Sequence, residues 1–341
     1  MAARKYRWAT ASDEELLSMR FRDLKLVLSR TTVQPRIDRL YGELGQRGIK
    51  FKPHCWLAEE WFSPDGVPGI AIPFYLAHRR LSQLENRQMF GVEGGTDKFC
   101  MQLLRHEAGH AIDTAYGLHR RQRWQQMFGR FQKPYPDYYS PRPQSKNFVL
   151  HLDWWYAQSH PAEDFAETFA VWLAPGSRWQ REYAGWGALK KLQYVDELMA
   201  SLTDRSPLVR KRVHIEPLSQ NNRTLGEHYA EKRKHYAIQL PQFYDTELCR
   251  LFTHDWDGNG SRRTAAAFLR RNAGLLCDVC ARSTGEYPYV FAQILQEMII
   301  RCRELKLHLS ETEEQTRLGV VAFLIVHMLN HINQTQHRVP V

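Results

Sequence analysis

His106-Glu107-Ala108-Gly109-His110 decides how the rest of this 341-residue chain is read. The five residues spell H-E-x-x-H. Phe99, Leu103, Leu104, Ala108, Ala111 and Ile112 give the surrounding stretch an apolar side. Thr96 or Asp97 offers an N-cap and Gly117 a stop, so a helix is predicted from about residue 96 to 116. Positions i and i+4 of a helix lie on one face. His106 and His110 can therefore each turn a ring nitrogen toward one metal ion, with Glu107 placed to reach a water on that metal.

Two histidines are half of a protein zinc site, because catalytic zinc usually has three protein ligands and one open position. A third histidine directly after the motif is absent: Asp113 and Tyr116 occupy the positions where H-x-x-G-x-x-H would need glycine and histidine. A later segment, Ala162-Glu163-Asp164-Phe165-Ala166-Glu167-Thr168-Phe169-Ala170, is strongly helical, with Pro161 at its first turn. Glu163 and Glu167 share a face there, among aromatic and alanine residues. Burying carboxylates in such surroundings is costly unless they meet a cation or a donor. One glutamate can ligate zinc, and the other can hold the far nitrogen of a histidine. The arrangement is that of a zinc peptidase.

Two stretches carry a family resemblance: His106 to Asp113, and Tyr156-Ala157-Gln158-Ser159-His160-Pro161 followed by Ala162 to Phe169. Together they resemble the catalytic domain of anthrax toxin lethal factor and related bacterial gluzincin-type zinc metallopeptidases. The resemblance spans roughly residues 96 to 175, about a quarter of the chain. It implies His106, His110 and Glu163 as Zn2+ ligands, Glu107 as the base and Tyr156, seven residues before Glu163, as oxyanion donor. It also sets Glu167 and Asp113 on acidic positions around the ligands. Asp164 and His160-Pro161 depart from the family pattern without removing an implied ligand. The expected activity is zinc-dependent endopeptidase action on a peptide or protein. The alternative is a catalytically inactive or regulatory zinc-binding protein on the same fold.

The fold class expected is α+β. Ile49–Ala58 and Gly69–Leu76 read as strands separated by the turn Ser63-Pro64-Asp65-Gly66. Pro73 cannot donate to a ladder, so the second strand is expected at a sheet edge, open to pairing with an extended peptide. The small mixed sheet would lie over the H-E-x-x-H helix, followed by the glutamate helix. Asp13 to Gly48 reads as helical, with Pro35 opening a second helix, Lys133 to Asn147 as loop, and Phe148 to Trp155 as a short strand or an ordered crossover. Three segments follow from composition: a metallopeptidase domain at 1–205, a basic connector at 206–240 and a helical domain at 241–341. Gly319 to Leu329 reads as a buried helix.

The net charge of +10 favours anionic partners, an acidic peptide among them. The basic residues are scattered and no nucleic-acid-binding motif accompanies them, so nucleic acid is not the expected partner. No run approaches the roughly 20 apolar residues of a membrane span, and the first residues do not form a signal peptide, so no membrane association and a cytoplasmic location are expected. Six cysteines in a chain of this length do not make a disulfide scaffold. Cys277-x-x-Cys280 lacks regularly spaced partners in Cys249 and Cys302, and free thiols on a helix are the better reading. Asp255-Trp256-Asp257-Gly258-Asn259-Gly260-Ser261 begins like a calcium loop, but Ala266 stands where a bidentate glutamate is needed. A turn capping the next helix explains it better.

Overall fold

The computed structural model describes residues 6–236, 245–254, 264–334 and 339–340. The calcium-like stretch at 255–261 lies outside them. The chain forms two compact units. The first comprises residues 1–84, 93–226 and 338–341, and the second 85–92 and 227–337. Residues 206–226 of the expected connector thus pack with the first unit.

In the first unit, helix α1 (Asp13–Ser18) starts in a capping box between Ser12 and Glu15. Two short 3-10 turns follow before α2 (Gln34–Gln46), which Pro35 opens. The second helix expected from Pro35 is present as α2, while the first part of the region breaks into α1 and the two 3-10 turns. Strands β1 (His54–Ala58) and β2 (Gly69–Pro73) pair in parallel, His54 opposite Gly69 and Ala58 opposite Pro73. Phe62 adds an antiparallel bridge to Ala71, whose N–H donates to the Phe62 carbonyl at 2.8 Å. The sheet is therefore small and mixed. β2 keeps its place at the edge with Pro73 last, but every one of its residues is buried. The open edge expected there is taken by Phe62 at Ala71.

Helix α3 (Arg79–Met89) leads to α4 (Asp97–Tyr116), the H-E-x-x-H helix. Thr96 caps α4 by accepting the Phe99 N–H at 3.2 Å, and Gly117 ends it with φ of 58°, a left-handed conformation glycine adopts without a Cβ clash. Arg105, beside the first histidine, makes a bidentate pair with Glu43 of α2, at 2.7 and 2.8 Å. Both partners are largely buried, so the pair fixes the rotation of α4 about its axis.

Helix α5 (Gln122–Phe128) and the two-residue strand β3 (Tyr138–Tyr139) precede α6 (Pro161–Leu173), the glutamate helix. Every residue of α6 from Ala162 to Leu173 is buried. Its three carboxylates are nonetheless compensated. Glu163 and Glu167 face the α4 histidines, and Asp164 pairs with Lys191 at 2.6 Å. Lys191 belongs to α8 (Ala188–Ala200), which follows the short α7 (Trp179–Glu182). Burial pushes the Asp164 carboxyl up to about 7 against the pull of Lys191.

Helices α4 and α6 cross at Gly109. A Cβ placed there would lie 2.8 Å from the backbone Cα of Ala166 and 3.2 Å from its carbonyl oxygen. No flexible side chain can move to relieve that contact, so the glycine inside H-E-x-x-H is what allows the crossing. The residue class at this position is set by packing, not by metal chemistry.

The second unit is helical: α9 (Leu225–His235, all but its first two residues), α10 (Asp245–Leu251), α11 (Ala265–Thr284), α12 (Pro288–Glu304) and α13 (Glu313–Gln334). The strands β4 (Phe252–Thr253) and β5 (His308–Leu309) pair antiparallel within it, whereas β6 (Val339–Pro340) pairs with β3 in the first unit. Phe268, Leu269, Phe291, Leu295, Met298, Val320 and Leu324 form the second unit's core. α13 buries one face only. Val320, Leu324 and Met328 are inside, while Leu318, Val326 and Leu329 are exposed, so the stretch 319–329 is amphipathic and not buried all round. No described helix is long and apolar enough to cross a membrane.

Gly109→Ala should cost about 1–3 kcal/mol, the usual penalty for inserting a methyl into a packed contact. It should also weaken zinc binding by moving Glu163 away from the histidines. Urea denaturation and a chelator competition check both; wild-type values in the two measurements would show that the crossing tolerates a methyl.

Candidate metal centre

His106, Glu107 and His110 come from the middle of α4, and Glu163 from the first turn of α6. His106 Nε2 lies 3.0 Å from Glu163 Oε2, His110 Nε2 lies 3.1 Å from the same oxygen, and the two histidine Nε2 atoms are 3.1 Å apart. Three donor atoms thus form a nearly equilateral triangle. Zinc bonds of about 2.0–2.1 Å in a tetrahedral site set ligand atoms roughly 3.3 Å apart, close to what the side chains present. Among the described residues this is the one cluster of three metal-ligating groups. The donor set of two neutral imidazoles and a carboxylate is the one zinc prefers in hydrolytic sites. His106, His110 and Glu163 thus present the metal-binding geometry of a zincin-type site.

The outer contacts orient these donors. His106 turns Nδ1 to Glu167 Oε1 at 2.7 Å, which leaves Nε2 for the metal. Glu167 is fully buried, and its second oxygen accepts the Leu152 N–H at 2.8 Å. Burial disfavours an imidazolium at His106, but the hydrogen bonds of Glu163 and Glu167 outweigh it and hold the His106 proton above the ordinary histidine range. Burial likewise opposes charge on His110, and the Glu163 carboxylate overcomes it. Glu163, although buried, is held well below the usual carboxylate range by His110 and His106.

Glu107 is buried at 7% exposure, and its Oε2 has no hydrogen-bond partner among the described residues. Its backbone carbonyl accepts from Ser63 Oγ at 3.1 Å, so the Ser63-Pro64-Asp65-Gly66 turn packs against the motif. A buried carboxylate oxygen left unpaired beside three zinc-ligating atoms marks the place for a polar guest.

Tyr156 lies on a 3-10 turn at Asp153–Gln158, which begins inside the 148–155 stretch read as a short strand or an ordered crossover. Its ring centroid is 5.8 Å from that of His106. Burial and the carboxylates of Glu163, Glu107 and Glu167 hold its hydroxyl well above the ordinary tyrosine range, so it remains a donor. The preceding Trp154 and Trp155 have φ of 58° and 54°. Non-glycine residues in this region cost on the order of 1–3 kcal/mol each, and such strain collects at functional sites. Tyr139 Oη holds the strained segment by donating to the Trp154 carbonyl at 2.9 Å.

Asp113 makes no hydrogen bond to His106 or His110 among the described residues, although the charge of His110 acts on its carboxylate. It receives a hydrogen bond from His119 Nδ1 at 2.6 Å, and His119 stacks on Phe131 at 4.1 Å. His151 is tied to Gln102 through reciprocal contacts, Gln102 Nε2 donating to the His151 carbonyl at 3.0 Å and His151 Nε2 to the Gln102 carbonyl at 3.1 Å. His160 is the N-cap of α6, its Nδ1 accepting the Ala162 N–H at 3.2 Å. The free-thiol reading of the cysteines agrees with the structure: Cys277 and Cys280 are buried and unpaired, and burial pushes their thiols up to about 12 and about 11.

One contact at the centre was not read from the sequence. Tyr135 Oη donates to Glu163 Oε1 at 2.6 Å. Tyr135 sits between Pro134 and Pro136 in a stretch that reads only as loop, and no spacing rule connects it to a residue 28 positions on.

Comparison of the chain with models of known protein families, with curated proteins and with solved structures finds no match in any of the three. The site itself is of the gluzincin metallopeptidase type: two histidines in H-E-x-x-H and a distal glutamate on a later helix.

Zinc affinity should rise with pH. Below the raised histidine pKa an imidazolium proton must be displaced for the metal to bind, and above it none is. The gain should be up to roughly tenfold per pH unit for each proton released, levelling off once the histidines are neutral. Calorimetric titrations in buffers of different ionisation enthalpy would count the protons; no release at pH 6 would contradict the assignment of these histidines.

Proposed function

We propose that this protein is a zinc-dependent endopeptidase. The observation that carries the reading is the pairing of a three-ligand zinc site with an unpartnered, buried Glu107 oxygen beside it. Zinc, when bound, supplies Lewis acidity toward a water molecule and a substrate carbonyl oxygen.

The chain's own groups then divide the remaining work. Glu107 Oε2 takes a proton from the attacking water as its oxygen bonds to the carbonyl carbon. The resulting oxyanion accepts a hydrogen bond from the Tyr156 hydroxyl, which its surroundings keep protonated. Glu107 returns the proton to the amine nitrogen as the C–N bond breaks. Glu167 fixes the His106 tautomer so that Nε2, not Nδ1, serves as ligand. The roles of Tyr156 and Glu163 rest additionally on the resemblance of residues 156–169 to the lethal factor type of catalytic domain. Asp113 acts through His119 and Phe131, bracing the end of α4 at one remove from the ligands. The preferred substrate is an extended peptide with acidic side chains, supported by the chain's net charge of +10.

The test is digestion of a peptide library read by mass spectrometry, wild type beside variants. Glu107→Gln should bind zinc as wild type does and lose about 10²–10⁴-fold in turnover, the usual worth of general-base catalysis. Tyr156→Phe should keep zinc and lose roughly 10²–10³-fold, as when an oxyanion donor is removed. His106→Ala and Glu163→Ala should lose zinc and activity together. Zinc content without any Glu107-dependent cleavage would instead identify a zinc-binding protein that is not a peptidase.

A further inference from the structure

Glu163 has two oxygens, and the structure gives them different partners. Oε2 lies within 3.0 and 3.1 Å of the Nε2 atoms of His106 and His110. Oε1 points the other way and accepts the Tyr135 hydroxyl at 2.6 Å. The hydrogen bond is short, and its acceptor is ionised, the stronger kind of contact. A glutamate free of such a bond can swing about its last torsion and offer both oxygens to one ion. A glutamate held by one oxygen can offer only the other.

Tyr135 is itself held. Its ring stacks on the His160 imidazole with centroids 3.8 Å apart and planes 18° from parallel. His160 Nε2 donates to the Lys133 carbonyl at 2.6 Å, two residues before the tyrosine. The other nitrogen, Nδ1, accepts the Ala162 N–H, as the cap of α6. A single imidazole thus ties the 133–135 segment to the turn from which Glu163 projects. Pro134 and Pro136 restrict the backbone on both sides of Tyr135. Further along the same loop, Gln158 grips Arg142 through both main-chain groups, its Oε1 accepting the N–H at 2.8 Å and its Nε2 donating to the carbonyl at 3.1 Å. The loop is fastened on both sides of the tyrosine, while the Tyr135 side chain remains half exposed.

We propose that Tyr135 is a positioning residue for the zinc site: its hydroxyl holds Oε1 of Glu163 so that Oε2 alone is presented to the metal. This rests on the zinc-site reading above, and deepens it by assigning a second tyrosine whose role differs from that of Tyr156. Tyr156 faces the His106 ring and is assigned to the substrate; Tyr135 faces the outer side of the ligand carboxylate and is assigned to the metal. The anchor is His160, so the departure of His160-Pro161 from the lethal factor pattern has a use in this chain.

The experiment compares wild type, Tyr135→Phe and Glu163→Gln for zinc affinity by chelator competition, for the visible spectrum of the cobalt-substituted protein and for the melting temperature of the metal-free protein. Tyr135→Phe keeps the ring and its stack and removes only the hydroxyl. The expected result is a zinc affinity about 10–100-fold weaker, the usual cost of losing a partner of a ligand. The metal-free melting temperature should be unchanged. The cobalt absorption should weaken, because a carboxylate binding through both oxygens raises the coordination number and four-coordinate cobalt absorbs most strongly. A wild-type affinity in Tyr135→Phe overturns the proposal. So does a weaker affinity with an unaltered cobalt spectrum, which would reflect general loosening of the loop. Glu163→Gln separates the two readings. Wild-type zinc affinity in that variant refutes the zinc site, and the proposal with it, whereas loss of zinc there beside an unaffected Tyr135→Phe refutes only the role of Tyr135.

Discussion

The close crossing of α4 and α6 at Gly109 and Ala166 is the constraint on which the rest of the first unit depends. α6 is buried from Ala162 to Leu173 and carries three acidic side chains. A helix of this kind is stable only where each charge meets a partner, since an unpaired buried carboxylate costs several kcal/mol. The crossing provides two of those partners in His106 and His110, and α8 provides the third in Lys191. Metal site and core packing are thus one arrangement. The histidines that would bind zinc are also the hydrogen-bond partners that make the glutamate helix tolerable.

Around this crossing the structure is braced from outside. The Arg105–Glu43 pair fixes the rotation of α4, and Thr96 and Gly117 fix its ends. On the other side, the segment carrying Tyr156 is held in a strained conformation at Trp154 and Trp155, with Glu167 accepting the Leu152 N–H and Tyr139 reaching the Trp154 carbonyl. Strain of this kind persists where neighbouring contacts over-determine it. Here it brings the tyrosine beside His106. The same carboxylate, Glu167, orients a zinc-ligating histidine and anchors the strained turn, so the metal site and the tyrosine are positioned through one side chain.

The second unit has a different character. Its helices bury a core of leucine, phenylalanine and methionine, in which Cys277, Cys280 and Cys302 serve as apolar packing groups with thiols pushed up by burial. The described residues there bring no cluster of metal-ligating groups together. Among the described residues the candidate metal centre lies in the first unit, on α4, α6 and the chain that links them.

Much of that chemistry was legible from local pattern. Helical periodicity placed His106 and His110 on one face and Glu163 and Glu167 on another, because a repeat of 3.6 residues is a property of the backbone alone. Caps at Thr96 and Gly117 and a proline at the start of α6 were equally local, and they lie where the sequence put them. What the sequence left open depended on contacts between distant residues. Both α6 glutamates were suitable as ligand from composition, and the helix crossing is what sets Glu163 against two nitrogens and Glu167 behind one. Asp113, one turn after the motif, had a ligand's neighbour in reach by sequence, yet the chain folds His119 onto it. Pro73 marks β2 as an edge strand, but only the fold shows Phe62 returning to bridge it at Ala71. Tyr135 is the extreme case: a tyrosine between two prolines carries no periodic signal, and only a loop fastened by His160 brings its hydroxyl to Glu163. The sequence by itself determined which residues can bind zinc, since that follows from side-chain chemistry and helical spacing. The tertiary structure alone decided which of them meet, because a hydrogen bond needs two groups within about 3 Å and nothing in local pattern measures that distance.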